Sequence, residues 1–173
     1  MKGITKLKKA YDYDLNNKAR SKKELDLKWD WVMARAKQYA DYCGTTPDTV
    51  LDVWESKRTY WWLNYYQECE QPDLSKRQGI LTFNEWVAEG EKRFGKEKLD
   101  WKFVCPNCGH VQTMRDFQNA DIDPQRAYHE CASRYNIGGK STCKWSAGGL
   151  FRKEGQWVIS QDYTPVLIFS FAN

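Results

Sequence analysis

The sequence predicts an α+β fold, in which a helical N-terminal domain is followed by a domain with a small antiparallel sheet and short helices. In the first half of the chain, apolar residues recur every three or four positions, which is typical of helices that bury one face. In the second half, short apolar and aromatic runs alternate with turns that contain Gly or Pro, which is typical of short strands. With 41% apolar residues in a chain of 173, a packed core can form.

The first 23 residues are predicted to form a basic N-terminal arm. They hold eight lysines and arginines against two aspartates, a net charge of +6, whereas the whole chain carries +4, so residues 24–173 carry −2. A basic arm on a mildly acidic body can bind nucleic acid or an acidic protein surface. It can equally be a solvated terminus.

Residues 24–73 are predicted to form the helical domain. A first helix is expected from Glu24 to Tyr42, where Gly44 can end it. Thr46 can cap a second helix, with Pro47 at its first position. Apolar residues continue at helical spacing to residue 66, and the helix can break near residues 56–58.

This helix, glycine turn and helix resembles the helix-turn-helix of DNA-binding repressors over about twenty residues. In such proteins the second helix enters the major groove, where basic and polar groups face the DNA. Here it carries Asp48, Asp52 and Glu55, which would repel phosphates, and only Lys57 and Arg58 at its far end would offset them. We therefore expect a helical hairpin that serves packing or protein contact, with DNA reading as the alternative.

Residues 74–173 follow a polar, Pro-containing linker and are predicted to form the second domain. A helix is expected from Thr82 to Phe94, with Thr82 and Glu85 as a capping box and Gly95 as its end. A short helix is expected to start at Asp123 and Pro124 and to carry Cys131. The strands are expected at 101–104, 150–152, 157–159 and, as a single buried closing strand, 166–171.

Four cysteines in this second domain point to a metal. Cys105 and Cys108 are separated by two residues on a turn that contains Pro106, a spacing that aims two thiolates at one point. Cys131 and Cys143 can complete the tetrahedron of a structural zinc ion, which makes the domain zinc-ribbon-like. The eleven residues between them are a less regular spacing, so His129 or His110 remains an alternative ligand. Cys43 and Cys69 are expected to be ordinary buried thiols.

Motifs for catalysis are absent from the sequence. A four-thiolate site leaves no open position on zinc, and there is no H-E-x-x-H, P-loop or nucleophile-elbow motif. We therefore expect a binding protein and not an enzyme. No signal peptide or apolar run of 18 residues is found in the sequence, and reduced thiols in a bacterial cytoplasm are expected.

From about residue 81 onward the chain resembles an uncharacterised family of small bacterial and phage zinc-ribbon proteins. The resemblance rests on Phe83-x-x-Trp86, on Trp101-x-Phe103-x-Cys105-Pro106-x-Cys108-Gly109-His110, on Cys131-x-x-Arg134-Tyr135, and on Cys143. It implies the zinc site and a phage setting, without an assigned activity.

The pairing of such a ribbon with an aromatic-rich helical half is similar to metal-containing anti-CRISPR proteins directed at the type II effector nuclease. This resemblance implies an inhibitor that binds the nuclease by protein-protein contact and blocks its DNA binding or cleavage. Candidate contact residues are Trp62, Tyr66, Lys57 and Arg58. The alternatives are a nucleic-acid-binding regulator that uses the basic arm and the helix-turn-helix-like segment, and a phage structural component.

Overall fold

The computed structural model describes residues 22–56, 72–75, 79–138, 142–147 and 155–173. The chain divides into two compact units, one made of Met1–Arg77 with Ser160–Thr164 and the other of Gln78–Ile159 with Pro165–Asn173. The division into 1–23, 24–73 and 74–173 stays a prediction. The grouping of residues 160–164 with the first unit is a feature that the sequence did not suggest.

The first unit is built on two helices. Helix α1 spans Lys22–Cys43, and Gly44 follows it with a φ of +68°, a conformation that costs glycine little. Helix α2 spans Pro47–Ser56, and the N–H of Thr49 donates to Thr46 Oγ1 at 3.2 Å. Both predicted helices and the Thr46 cap are confirmed as far as Ser56. The predicted continuation of the second helix to residue 66 lies outside the described residues.

The core of the first unit lies where these two helices face each other. The ring of Tyr39 meets that of Trp54 edge to face, with centroids 5.9 Å apart. Trp54 is buried, and its indole N–H donates to the carbonyl of Asp162 at 3.0 Å. Among the helix residues whose burial is described, the others that are apolar and buried are Val32, Ala36, Ala40, Tyr42, Val50 and Leu51.

The second unit contains the other helices and strands of the described residues. Strand β1 (Ile80–Thr82) leads into helix α3 (Phe83–Phe94), strands β2 (Lys102–Val104) and β3 (Val111–Thr113), and helix α4 (Met114–Asn119). Single 3-10 turns span Lys98–Asp100, Pro124–Tyr128 and Ala132–Tyr135, and strands β4 (Gln156–Ile159), β5 (Pro165–Ile168) and β6 (Ser170–Phe171) follow. The mixed α+β class is thus confirmed.

Helix α3 begins and ends where its sequence predicts. Glu85 N–H donates to the hydroxyl of Thr82, and the carboxylate of Glu85 accepts from the backbone N–H of Thr82, which completes the capping box. Gly95 ends the helix with a φ of +84°. None of the helices in the described part of the chain is long and apolar enough to cross a membrane.

The strands of the described residues form two three-stranded sheets. One has the order β1-β4-β5, with β1 parallel to β4, and the other is antiparallel with the order β3-β2-β6. The single closing strand predicted for 166–171 is therefore wrong. Ile168 pairs in the first sheet and Ser170 in the second, because the buried Phe169 lies between them and its N–H donates to the carbonyl of Tyr128 at 2.7 Å.

Aromatic side chains fill the core of the second unit. Trp101, Phe103, Phe117 and Phe169 are fully buried, and Cys105, Cys131 and Cys143 belong to the same cluster. Trp86 of helix α3 packs against Trp101 with ring centroids 5.3 Å apart. This core therefore joins helix α3 to the antiparallel sheet and to the cysteines at its edge.

Candidate metal centre

The first half of the centre is the tight turn between strands β2 and β3. The N–H of Cys105 donates to the carbonyl of His110, and the N–H of Gly109 donates to the carbonyl of Cys105, both at 2.9 Å. Gly109 has a φ of +72°, which a residue with a side chain rarely adopts. The turn is fixed by the two strands, so Cys105 and Cys108 are held at one end of the hairpin.

The second half of the centre, with Cys131 and Cys143, is held by a backbone bridge. The predicted helix from Asp123 through Tyr135 is wrong, because the segment forms two separate 3-10 turns with Cys131 between them. Glu130 instead forms an isolated antiparallel bridge with Ser146, and the N–H of Cys131 donates to the carbonyl of Trp145 at 2.9 Å. This bridge brings the segment with Cys143 beside Cys131, which the eleven-residue spacing alone did not predict.

The four predicted cysteines meet at one place. The Sγ atoms of Cys105, Cys108, Cys131 and Cys143 all lie within 4.8 Å of one another. Cys105 Sγ is 3.9 Å from Cys143 Sγ, and Cys108 Sγ is 3.7 Å from Cys131 Sγ. These distances exceed the roughly 2.05 Å of a disulfide. They match the edge of about 3.8 Å that a tetrahedron with metal-sulfur bonds of about 2.3 Å requires, so the cluster is compatible with a structural zinc site.

The electrostatics of the thiols follow from burial and from hydrogen bonds to sulfur. Burial raises the pKa of Cys105, which the backbone N–H groups of Cys108 and Asn107 lower in part, and burial also raises the pKa of Cys131. Burial alone would raise the pKa of Cys143 as well, but hydrogen bonds from the Asn107 side chain and the Trp145 backbone lower it to about 7. Donors thus stabilise a thiolate at the edge of the cluster.

Neither histidine joins the sulfur cluster among the described residues. The imidazole of His110 lies against Gly138, where a Cβ would be 2.9 Å from its Cε1 atom. His129 is 36% exposed with its Nε2 3.9 Å from a carboxylate oxygen of Glu130. Burial lowers the pKa of His129. The described cluster therefore contains the four cysteines and neither histidine.

Two side chains that support the centre were missed in the sequence. Asn107 Nδ2 donates to Cys143 Sγ at 3.3 Å. Gln112 is almost fully buried on strand β3, and its amide donates to the carbonyls of Ala127 and Glu130 and accepts from the N–H of Ala132 at 2.7 Å. Gln112 thereby fixes the segment that holds Cys131. A lone Gln between Val and Thr carries no sequence signal for this role.

A polar cluster around Glu130 supports the same segment. Its carboxylate accepts from Tyr135 and from Arg126, whose nearest guanidinium nitrogen lies 3.2 Å away, and Arg134 lies 4.0 Å from it. Burial raises the pKa of Glu130, but these hydrogen bonds outweigh it and hold the pKa below its ordinary value. The ionised carboxylate therefore links both 3-10 turns beside Cys131.

The candidate contact residues Trp62, Tyr66, Lys57 and Arg58 lie outside the described residues. Among the predicted site residues, the structure brings together the four cysteines.

Comparison with known proteins shows to which family the chain belongs. The profile of one family, described as VVA0879-like, matches residues 82–172, which is more than half of the chain. The protein belongs to the VVA0879-like family. The match begins at the capping residue of helix α3 and includes all four cysteines, as the sequence resemblance implied. For this member of the VVA0879-like family, no curated protein and no solved structure gave a significant match.

Proposed function

We propose that Cys105, Cys108, Cys131 and Cys143 hold one structural zinc ion, and that the protein acts by binding a partner and not by catalysis. The two sulfur pairs at 3.9 and 3.7 Å carry the first part of this proposal, since both match the edge of a zinc-thiolate tetrahedron. When bound, the zinc ion supplies a cross-link between the two halves of the centre. Four thiolates leave no position for water or substrate, so a catalytic role would require a different donor set.

The residues around the cluster support a closed site. Three of the four cysteines are buried, and the Asn107 amide and the backbone N–H groups of Asn107, Ser133 and Trp145 are directed at sulfur. Donors to sulfur stabilise the thiolate form that zinc binds. Without the ion, three buried thiols and the exposed thiol of Cys108 would face each other.

Zinc content and stability of single variants test the metal proposal. Cys105→Ser should lose the bound zinc and destabilise the second unit, because metal binding contributes to folding. Cys43→Ser is the matched control, since Cys43 lies on helix α1 outside the cluster, and it should keep one equivalent. Asn107→Ala keeps all four thiols and should weaken zinc affinity by about 10- to 100-fold. A Cys105→Ser protein with one equivalent of zinc and full stability would contradict the ligand assignment.

The finer proposal is that the partner is the type II CRISPR effector nuclease and that the protein is a phage-encoded inhibitor in the bacterial cytoplasm. Two considerations support it: the resemblance of a ribbon joined to an aromatic-rich helical half, and the lack of catalytic motifs in the sequence. A zinc-thiolate site agrees with a reducing compartment, where cysteines stay as thiols. The proposed contact residues are Trp62, Tyr66, Lys57 and Arg58, with aromatic residues as the anchors.

Co-elution on a sizing column tests the partner. The zinc-loaded protein is mixed with the effector and its guide RNA, and a duplex DNA sample is run alongside. Co-elution with the effector that Trp62→Ala and Tyr66→Ala weaken, and that the control Val166→Ala leaves unchanged, supports the inhibitor. Val166 suits this control because it is exposed on strand β5. Co-elution with DNA alone, falling steeply with salt and lost on removal of residues 1–23, would replace it with the regulator.

A further inference from the structure

The four thiols of the cluster differ in exposure. Cys105 and Cys131 have no exposed surface, Cys143 is 8% exposed, and Cys108 is classed with the exposed residues. Cys108 lies in the turn that connects strands β2 and β3, and its neighbours Asn107 and Gly109 are exposed as well. A reagent in solution therefore meets Cys108 before the other three.

One sulfur atom in contact with Cys108 belongs to the other half of the centre. Cys131 Sγ lies 3.7 Å away, and a disulfide would require the two sulfur atoms to approach by about 1.7 Å. Cys143 is engaged otherwise, since its sulfur accepts from Asn107 and lies 3.9 Å from Cys105. The backbone of Cys105 is fixed by two hydrogen bonds, because its N–H donates to the carbonyl of His110 and its carbonyl accepts from the N–H of Gly109. The Cys105–Cys143 and Cys108–Cys131 contacts, at 3.9 and 3.7 Å, thus each span the two halves of the centre.

We propose that Cys108 is a peroxide-reactive thiolate, that Cys131 is its resolving thiolate, and that their disulfide expels the zinc ion. The inference rests on the proposed zinc site. The Cys108 thiolate attacks one oxygen of hydrogen peroxide, which gives a sulfenic acid and hydroxide. The Cys131 thiolate then attacks the Cys108 sulfur and displaces a second hydroxide. Two thiolates are oxidised by two electrons in total, and one peroxide is reduced to two hydroxide ions.

Loss of two ligands from four releases the metal, because Cys105 and Cys143 alone cannot complete its coordination. The new disulfide joins the same two segments that the zinc ion joined, so the hairpin and the bridge region stay connected. Cys105 and Cys143 remain 3.9 Å apart in the reduced structure and form the second disulfide with a second equivalent of peroxide. The centre therefore exchanges one metal cross-link for covalent ones in a set order.

The experiment uses the full chain with Cys43→Ser and Cys69→Ser, which leaves only the four cysteines of the centre. Zinc occupancy is measured first, and then hydrogen peroxide is added in steps while a chromophoric chelator records free zinc. Non-reducing peptide mapping by mass spectrometry identifies the disulfides at each step. We expect about one equivalent of peroxide to release the zinc and to produce the Cys108–Cys131 disulfide before any Cys105–Cys143 disulfide.

A second measurement keeps all four ligands. Brief exposure of the reduced, zinc-loaded protein to N-ethylmaleimide should label Cys108 first. First labelling at Cys105 or Cys131, a first disulfide between Cys105 and Cys108, or zinc release without a disulfide would each overturn the inference. A zinc-loaded protein that resists peroxide would overturn the redox inference but not the proposed zinc site. A protein that takes up no zinc would overturn both.

Discussion

Gly90 lies in the middle of helix α3, where a glycine normally costs stability. Replacing glycine by alanine in a helix interior stabilises by about 0.5–1 kcal/mol through backbone entropy. Gly90 is buried, however, and a Cβ built there would lie 2.6, 2.7 and 2.7 Å from three carbons of the Trp101 indole. Ordinary carbon contacts begin at about 3.5 Å, so the ring would have to retreat by about 0.9 Å.

Trp101 has little freedom to retreat. Its side chain is fully buried, its indole N–H donates to the carbonyl of Gly95 at 2.9 Å, and Trp86 and Phe171 lie against it with ring centroids 5.3 and 5.7 Å away. Overpacking a core costs about 1–3 kcal/mol, and loss of the indole hydrogen bond would add about 1 kcal/mol. After the gain in helix propensity, we expect Gly90→Ala to lower the free energy of unfolding by about 1–3 kcal/mol.

Urea unfolding of the zinc-loaded protein measures this change, with the slope of the transition checked for constancy. Ala88→Gly, on the exposed side of the same helix, is the control that measures the propensity effect alone, and it should cost about 1 kcal/mol. In a Trp101→Phe background, which lacks the larger ring, the penalty of Gly90→Ala should shrink. A Gly90→Ala protein as stable as the parent would refute the reasoning, because the contact with Trp101 would then be costless.

Three other variants test the surroundings of the centre. Gln112→Leu leaves two buried backbone groups and one part-buried backbone group without their partner. It should lower the free energy of unfolding in urea by about 3 kcal/mol or more, whereas the exposed Gln118→Leu should change that free energy by less than about 0.5 kcal/mol. Gly138→Ala should lower both stability and zinc retention against a chelator, because Gly138 has a φ of +80° and a Cβ there would meet His110; unchanged retention would contradict this. Hydrogen bonding to Arg115 lowers the pKa of Asp100 from its ordinary value of 3.8, despite an opposing effect of burial. The stability lost in Asp100→Asn should therefore be fully seen above pH 4 and disappear as the pH falls through that lowered pKa, and a difference that persists at pH 2 would rule out the ion pair as its source.

The parts of the fold that depend on local signals were predictable from the sequence. Helix α3 carries its own start and stop, in the Thr82 and Glu85 capping box and in Gly95, and all three act as predicted. Gly44 and Thr46 mark the helix boundaries of the first unit in the same way. The first cysteine pair was predictable because two residues of spacing on a tight turn leave few other geometries.

The parts that depend on contacts between distant segments were not predictable. Nothing near Phe169 signals that the chain leaves one sheet for the other, because the cause is a hydrogen bond to Tyr128, forty-one residues earlier. The bridge between Glu130 and Ser146 likewise involves two residues without strand propensity. The 3-10 turns around Cys131 replace the predicted helix because this bridge and the Gln112 amide take up the backbone groups that a helix would use.

The inclusion of residues 160–164 in the first unit has a consequence for the order in which the protein can fold during synthesis. The ribosome makes helices α1 and α2 first, but the acceptors of the Trp54 indole N–H, at Asp162 and Tyr163, are made only after strand β4. Until then, Trp54 can pack against Tyr39 of helix α1, but its indole N–H lacks both of those carbonyl acceptors. The helical unit is therefore begun first and finished late, and a nascent chain halted before residue 160 should leave it less protected from proteolysis than the full chain does.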